Sequence, residues 1–202
     1  MVERQLRWRD INDPQVLAAM ARVPRHRFVR DRDTDLAYGD YPIDIGFGQT
    51  ISQPYIVAFM TQALALKPDA KVLEIGTGSA YQTAVLAELA GNVYSMEIVT
   101  EHAHRAVHLL EVLGYTNVHV RAGDGYSGWP EAAPFDGVIV TAAPDHIPEP
   151  LIAQLKVDGR LVVPVGRGEQ DLLVLTRTAD GLKEEQRLAV RFVPLTRTPT
   201  DD

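Results

Sequence analysis

From Lys71 onward the chain alternates short apolar runs with segments of helical period, and no other feature restricts its fold so strongly. KVLEI (71–75) leads to AYQTAVLAELA (80–90), and NVYSMEI (92–98) leads to EHAHRAVHLLEVL (101–113). NVHVRA, FDGVIVTA and GRLVVPV follow, with a helix expected over 149–155 ahead of the last of them. Apolar runs this short, joined by helical segments, imply βαβ crossovers and a parallel sheet covered on both faces. The end of the chain breaks the rhythm. Residues 171–195 hold two β-rich runs about Asp180-Gly181, the signal of an antiparallel hairpin. The expected fold is therefore α/β: a doubly wound, mostly parallel sheet of seven strands ending in a C-terminal antiparallel hairpin.

Ahead of Lys71 the pattern is looser. Asp13 to Val23 reads as a helix with Val16, Leu17, Met20 and Val23 on one face, stopped by Pro24. Pro54 to Leu66 reads as a second helix. Between them, residues 25–53 sustain neither period and carry Gly39, Pro42, Gly46 and Gly48. An irregular stretch of that length inside a compact domain is usually functional. Neither a repeat nor a linker interrupts the 202 residues, so a single domain over 1–202 is expected, with 1–66 as a helical and loop extension.

Composition removes whole classes of chemistry. The absence of cysteine excludes disulfides, thiolate nucleophiles and cysteine-ligated metals, and it suits a reducing compartment. No apolar run approaches the roughly 18 residues that span a bilayer, so a cytoplasmic protein without a membrane partner is expected. Twenty basic against 27 acidic residues give a net charge of −7, which argues against a nucleic-acid partner. Residues 1–32 nonetheless hold eight arginines and four acids. Charge runs are usually solvated faces, so ion pairs with the acid-rich stretch Asp31 to Asp44 are expected. His104 and His108, with His102 close by, share a helix, but Arg105 stands where a metalloprotease helix needs glutamate. A solvated polar face and no metal site are expected there. Without an exposed apolar stripe, the chain should be monomeric.

The chemistry gathers around Val72-Leu-Glu74-Ile-Gly76-Thr77-Gly78-Ser79-Ala80-Tyr81. A strand entering Gly-x-Gly and then a helix gives a tight turn, close backbone approach and a helix N-terminus for a ligand. Glu97 ends the next strand, 21 positions after Gly76, where a carboxylate accepts from ribose hydroxyls. Tyr81 stands where a dinucleotide site wants its third glycine, which disfavours NAD. Glu74 is hostile to a pyrophosphate and friendly to a cation, so S-adenosylmethionine fits better. Asp124 within Gly123-Asp-Gly125 could accept from an adenine amino group. Val140-Thr-Ala-Ala-Pro144 offers neither an aromatic cage nor a charged base for a nitrogen acceptor. A carboxylate acceptor, already ionised at neutral pH, needs neither.

The segments Gly48-Gln-Thr-Ile-Ser-Gln-Pro-Tyr-Ile-Val-Ala58, 72–89, Gly123-Asp-Gly125, 155–166 and Val193-Pro-Leu-Thr196 resemble the protein-L-isoaspartate O-methyltransferases. The likeness runs through nearly the whole chain, and Gly-Gln-Thr-Ile-Ser-Gln-Pro is its most specific element. It implies a class I S-adenosylmethionine-dependent methyltransferase fold and methylation of isoaspartyl α-carboxylates in damaged proteins. By the same resemblance Ser52 matches the catalytic serine, and Thr50 and Ile51 match a loop shared by cofactor and peptide. Gly76, Thr77, Gly78, Ser79, Glu97, Asp124, Gly125 and Thr196 match cofactor contacts. Val165 and Gly166 match the peptide groove, to which the 1–66 extension would contribute. Ala80 replaces a glycine of the family pattern, and a helix N-terminus should tolerate it with modest effect on affinity. Ser52 could instead cap the helix from Pro54. Two alternatives stay open: the same fold acting on a small molecule or RNA, and a non-catalytic nucleotide-binding protein.

Overall fold

A computed structural model describes residues 1–197. Helix α1 (Pro14–Arg22) starts where Asp13 accepts from the amides of Gln15 and Val16, with proline in its first turn. A small hairpin of β1 (Ile43–Gly46) and β2 (Gln49–Ile51) precedes α2 (Pro54–Ala63). The alternating part then runs β3 (Lys71–Ile75), α3 (Tyr81–Ala87), β4 (Asn92–Glu97), α4 (Thr100–Val112), β5 (Val118–Ala122), β6 (Phe135–Val140), α5 (Glu149–Ala153) and β7 (Leu155–Val165). Strands β8 (Gln170–Thr178) and β9 (Gly181–Val190) follow.

The main sheet has seven strands in the order β5-β4-β3-β6-β7-β8-β9. Strands β3 to β7 are mutually parallel, whereas β8 is antiparallel to both its neighbours. The α/β fold and the terminal antiparallel strands thus match the sequence reading. Alternation along each strand sorts the core into two layers. Val72, Val93, Ile139 and Val162 pack with Met60, Ala63 and Leu64 of α2 and its end and with Leu86 of α3. Leu73, Ile75, Val138, Val140 and Leu161 pack on the other face with Leu151 of α5. The chain order reverses between β3 and β6, and the carboxyl ends of parallel strands splay apart at such a switch point to leave a crevice.

Three local expectations need correction. Residues 43–51 form a hairpin, because strands of four and three residues are too short to show a period; its turn places Phe47 and Gly48 at φ 53° and 66°. On α4, His104 and His108 are exposed, but His102 is buried, its ring edge-on to Phe47 at 5.3 Å. Three arginines of the start pair with the acid-rich stretch as expected: Arg9 reaches Asp40 at 2.8 Å, Arg30 reaches Asp44 at 3.1 Å, and Arg32 reaches Asp33 at 3.5 Å, while Arg7 and Arg22 pair with Glu3 and Glu88. Arg25 departs from the expected solvated face, with no solvent exposure at all.

Candidate functional site

The crevice at the switch point is built from strand ends. It is walled by Ile75 to Ser79 after β3, Met96 to Ile98 at the end of β4, Gly125 after β5 and Thr141-Ala142 after β6. Thr50, Ile51 and Ser52 from the β2–α2 corner and Val193 to Thr196 from the C-terminal segment close it. The open volume is about 820 Å³, solvent at the mouth included. The C-terminal segment is fastened by backbone bonds between Ala143 and both Val193 and Leu195 and by the Tyr126 hydroxyl donating to the Leu195 carbonyl.

Backbone geometry explains the glycines. Gly76 has φ +98°, and a Cβ there would lie 2.3 Å from Thr141 Oγ1, which itself donates to the Ile75 and Gly76 carbonyls at 3.0 and 2.6 Å. Gly78 has φ +50° and donates its amide to Glu97 Oε2 at 2.7 Å, while Glu97 Oε1 accepts from the Val99 amide at 2.9 Å. Glu97 is thus buried, stands on the crevice wall, and also shapes the glycine turn. Ala80, at the start of α3, has φ 69° and ψ 8°. The expectation that alanine is well tolerated here is therefore corrected: the position is left-handed, where a Cβ costs energy whatever the helix propensity.

Glu74 is not part of the wall. Strand alternation turns it with Val72 toward α3, where its Oε2 accepts from Thr83 Oγ1 at 2.5 Å and Ser95 Oγ at 2.6 Å. Its Oε1 has no partner among the described residues. Burial, reinforced by the Glu97 charge and opposed by the two hydroxyls, pushes its pKa up to about 8. The direct contact with a cationic ligand expected of Glu74 is therefore corrected, since its side chain does not reach the crevice and that of Glu97 does. Among the described residues Glu97 is the charged side chain of the wall. A crevice with one carboxylate and no lysine or arginine suits an adenosyl group carrying a sulfonium and leaves a pyrophosphate without a counter-charge.

Of the other expected residues, Thr50, Ile51, Ser52, Gly76 to Ser79, Glu97, Gly125 and Thr196 all reach the wall. Asp124 stands beside it. It caps the turn at Gly125–Ser127 through the Tyr126 amide and pairs with Arg197 at 3.0 Å. Val165 and Gly166 do not reach it: Val165 ends β7, and the amide of the following Gly166 donates to the Pro144 carbonyl. A second depression, lined by Pro42, Gln53, Ile56 and residues 189–193, meets the crevice at Thr50, Ser52, Thr141 and Val193. Val165 and Gly166 stand outside that depression as well.

Ser52 sits where the two cavities join, and among the described residues its hydroxyl makes no hydrogen bond. It does not cap α2. That helix begins after Gln53 with no cap from its own flank, and the Tyr55 amide is taken instead by Asp40 Oδ1 at 3.1 Å. Asp40 also accepts from Gln53 Nε2 at 2.9 Å. Sequence reasoning gave Asp40, Thr141 and Arg25 no role, because their contacts are made across the fold and not along the chain.

Known proteins agree with this geometry. A family model described as protein-L-isoaspartate(D-aspartate) O-methyltransferase matches residues 1–200. A protein-L-isoaspartate O-methyltransferase of Gloeobacter violaceus is 60% identical over 199 residues, 98% of this chain and 97% of that protein. A Plasmodium falciparum structure, described as a protein-L-isoaspartate O-methyltransferase in complex with S-adenosyl-L-homocysteine, superposes with a TM-score of 0.83 at 25% identity, covering 98% of this chain and 97% of the other. A further solved protein-L-isoaspartate O-methyltransferase gives a TM-score of 0.85 at 29% identity, with 93% of this chain covered; the match spans 62% of that longer chain.

Proposed function

The chain belongs to the protein-L-isoaspartate (D-aspartate) O-methyltransferase family, and from that premise we propose that its two cavities divide the work, the crevice holding the methyl donor and the second depression receiving the damaged peptide. The reaction esterifies the free α-carboxylate of L-isoaspartyl residues in damaged proteins and peptides with the methyl group of S-adenosyl-L-methionine. That sulfonium compound, when bound, supplies an electrophilic methyl group.

Everything else falls to the chain's own residues. Glu97 accepts from the ribose hydroxyls, and its negative charge favours a cationic ligand. The Gly76–Ser79 turn lets backbone amides approach closely. Met96, Ile98, Gly125 and Leu195 supply apolar walls, and Val193 to Thr196 keep water out. At the junction the Ser52 hydroxyl donates to the acceptor carboxylate and turns one oxygen toward the donor. With an acceptor already ionised at neutral pH no general base is required, so catalysis here is alignment and exclusion of water. Thr50 borders both cavities, whereas Ile51, expected to touch cofactor and peptide alike, lines the crevice alone.

One observation carries this reading: a serine hydroxyl with no hydrogen-bond partner among the described residues, at the junction where both cavities meet. Its test pairs an isoaspartyl peptide with its normal aspartyl twin and follows base-labile methyl incorporation. Labelling confined to the isoaspartyl peptide is expected; equal labelling would count against a repair site. Ser52→Ala should lower kcat with little change in cofactor affinity, whereas Glu97→Ala should chiefly weaken the cofactor.

No helix among the described residues is long and apolar enough to cross a membrane. The lack of cysteine suits a reducing, cytoplasmic setting and the −7 charge argues against nucleic acid, so we read the chain as a cytoplasmic enzyme acting as a monomer on isoaspartyl proteins. We read residues 1–202 as one methyltransferase domain whose 1–66 extension forms part of the peptide side, residues 198–202 lying outside the described part.

A further inference from the structure

Arg25 is a fully buried arginine that the reaction as described does not use. Its Nε donates to the Ala37 carbonyl at 2.7 Å and its Nη2 to the Ser52 carbonyl at 2.7 Å. The guanidinium carbon lies 4.7 Å from the centroid of the Tyr81 ring. Those three partners belong to three different segments of the chain, two of which line the site. Ala37 leads into Asp40, which holds Gln53 and the first amide of α2. Ser52 is the junction residue, and Tyr81 opens α3 and lines the crevice directly after the glycine turn. One rigid planar fork therefore ties the acceptor-side corner to the cofactor-side helix.

Burying a cation costs several kcal/mol, and an apolar side chain of similar size would hold a core at least as well. Burial does lower the Arg25 pKa, to about 10, so the group remains charged at neutral pH. A buried charge spent on two loop carbonyls and an aromatic face fixes directions, which packing alone does not. Lysine, with a single flexible ammonium, cannot satisfy the same fork.

We propose that Arg25 is a positioning residue for methyl transfer, fixing the Ser52 corner against Tyr81 so that the serine hydroxyl meets the acceptor carboxylate at the right place relative to the donor. The proposal rests on the reading of Ser52 given above. It predicts a kinetic signature: the step that depends on alignment suffers, and cofactor binding, carried by Glu97 and the glycine turn, does not.

The test is a double-mutant cycle in the full chain, using Arg25→Lys with Ser52→Ala, an isoaspartyl peptide as substrate, and S-adenosylhomocysteine binding measured by calorimetry. Arg25→Lys should lower kcat about tenfold or more while the dissociation constant for S-adenosylhomocysteine changes by no more than about twofold. In the Ser52→Ala background the same change should cost less than about twofold in kcat, since the group it aims is gone. Arg25→Met, which fills the space without charge, should lose at least as much kcat as the lysine variant. Equal losses from Arg25→Lys in both backgrounds, or a loss of cofactor affinity that matches the loss of kcat, would overturn the proposal and leave the serine reading standing. An undiminished kcat in Ser52→Ala alone would overturn the serine reading, and this proposal with it. Should the methionine variant fail to fold, the lysine cycle still decides.

Discussion

Replacing Glu74 by glutamine should turn a fold that weakens toward alkaline pH into one that does not. The carboxyl is fully buried, and its pKa is pushed from 4.5 up to about 8, burial being the largest cause. In the unfolded chain the same group titrates near the ordinary glutamate value, so between roughly 4.5 and 8 the native chain binds more protons than the unfolded one. Its contribution to stability is complete below the lower value and is lost as pH rises through the upper one. The slope approaches about 1.4 kcal/mol per pH unit, and the whole window is worth on the order of 5 kcal/mol. Glutamine copies the protonated acid. Its carbonyl can take the Thr83 and Ser95 hydroxyls, and its amide occupies the place where Oε1 has no partner. Urea unfolding at fixed ionic strength from pH 5 to 8.5 measures the difference. The two chains should be nearly equal at pH 5, and the variant should be the more stable by pH 8. A constant difference across the range would refute the argument, because it would mean that Glu74 titrates alike in both states.

Two further substitutions probe the glycine turn. Ala80→Gly should raise stability by about 1 kcal/mol, since it relieves a left-handed alanine at φ 69° at the expense of one buried methyl group; thermal melts at one pH would show it, and a lower melting temperature would contradict it. Gly76→Ala combines a positive φ with a Cβ 2.3 Å from Thr141 Oγ1, so a loss of roughly 2–4 kcal/mol is expected. Calorimetric binding of S-adenosylhomocysteine should fail in the same variant, and normal binding would show that the turn can move aside.

The architecture from Lys71 onward was readable because it rests on local rules. Unbroken apolar strands, helical segments between them and an Asp-Gly turn each announce themselves within about ten residues. The glycine turn and Glu97 were readable for a related reason: a short motif and a fixed spacing along one βαβ unit fix where they lie. Glu74 shows the limit of that method. Its nearness to the glycines in sequence suggested ligand contact, yet strand alternation turned it into the layer beneath α3. His102 likewise looked like its exposed neighbours until the β1–β2 hairpin was seen to cover it.

The amino-acid sequence by itself determined the alternating sheet, the crevice's glycine turn and its wall carboxylate Glu97, since each depends on residues close together along the chain. Only the tertiary structure decided what surrounds the Ser52 corner and the glycine turn. Arg25, Asp40 and Thr141 come to the site from 27, 12 and 89 positions away from Ser52, and contacts across such separations are set by how the layers pack. A local pattern carries no record of that packing, because the same short segment is compatible with many partners until the rest of the chain has chosen one.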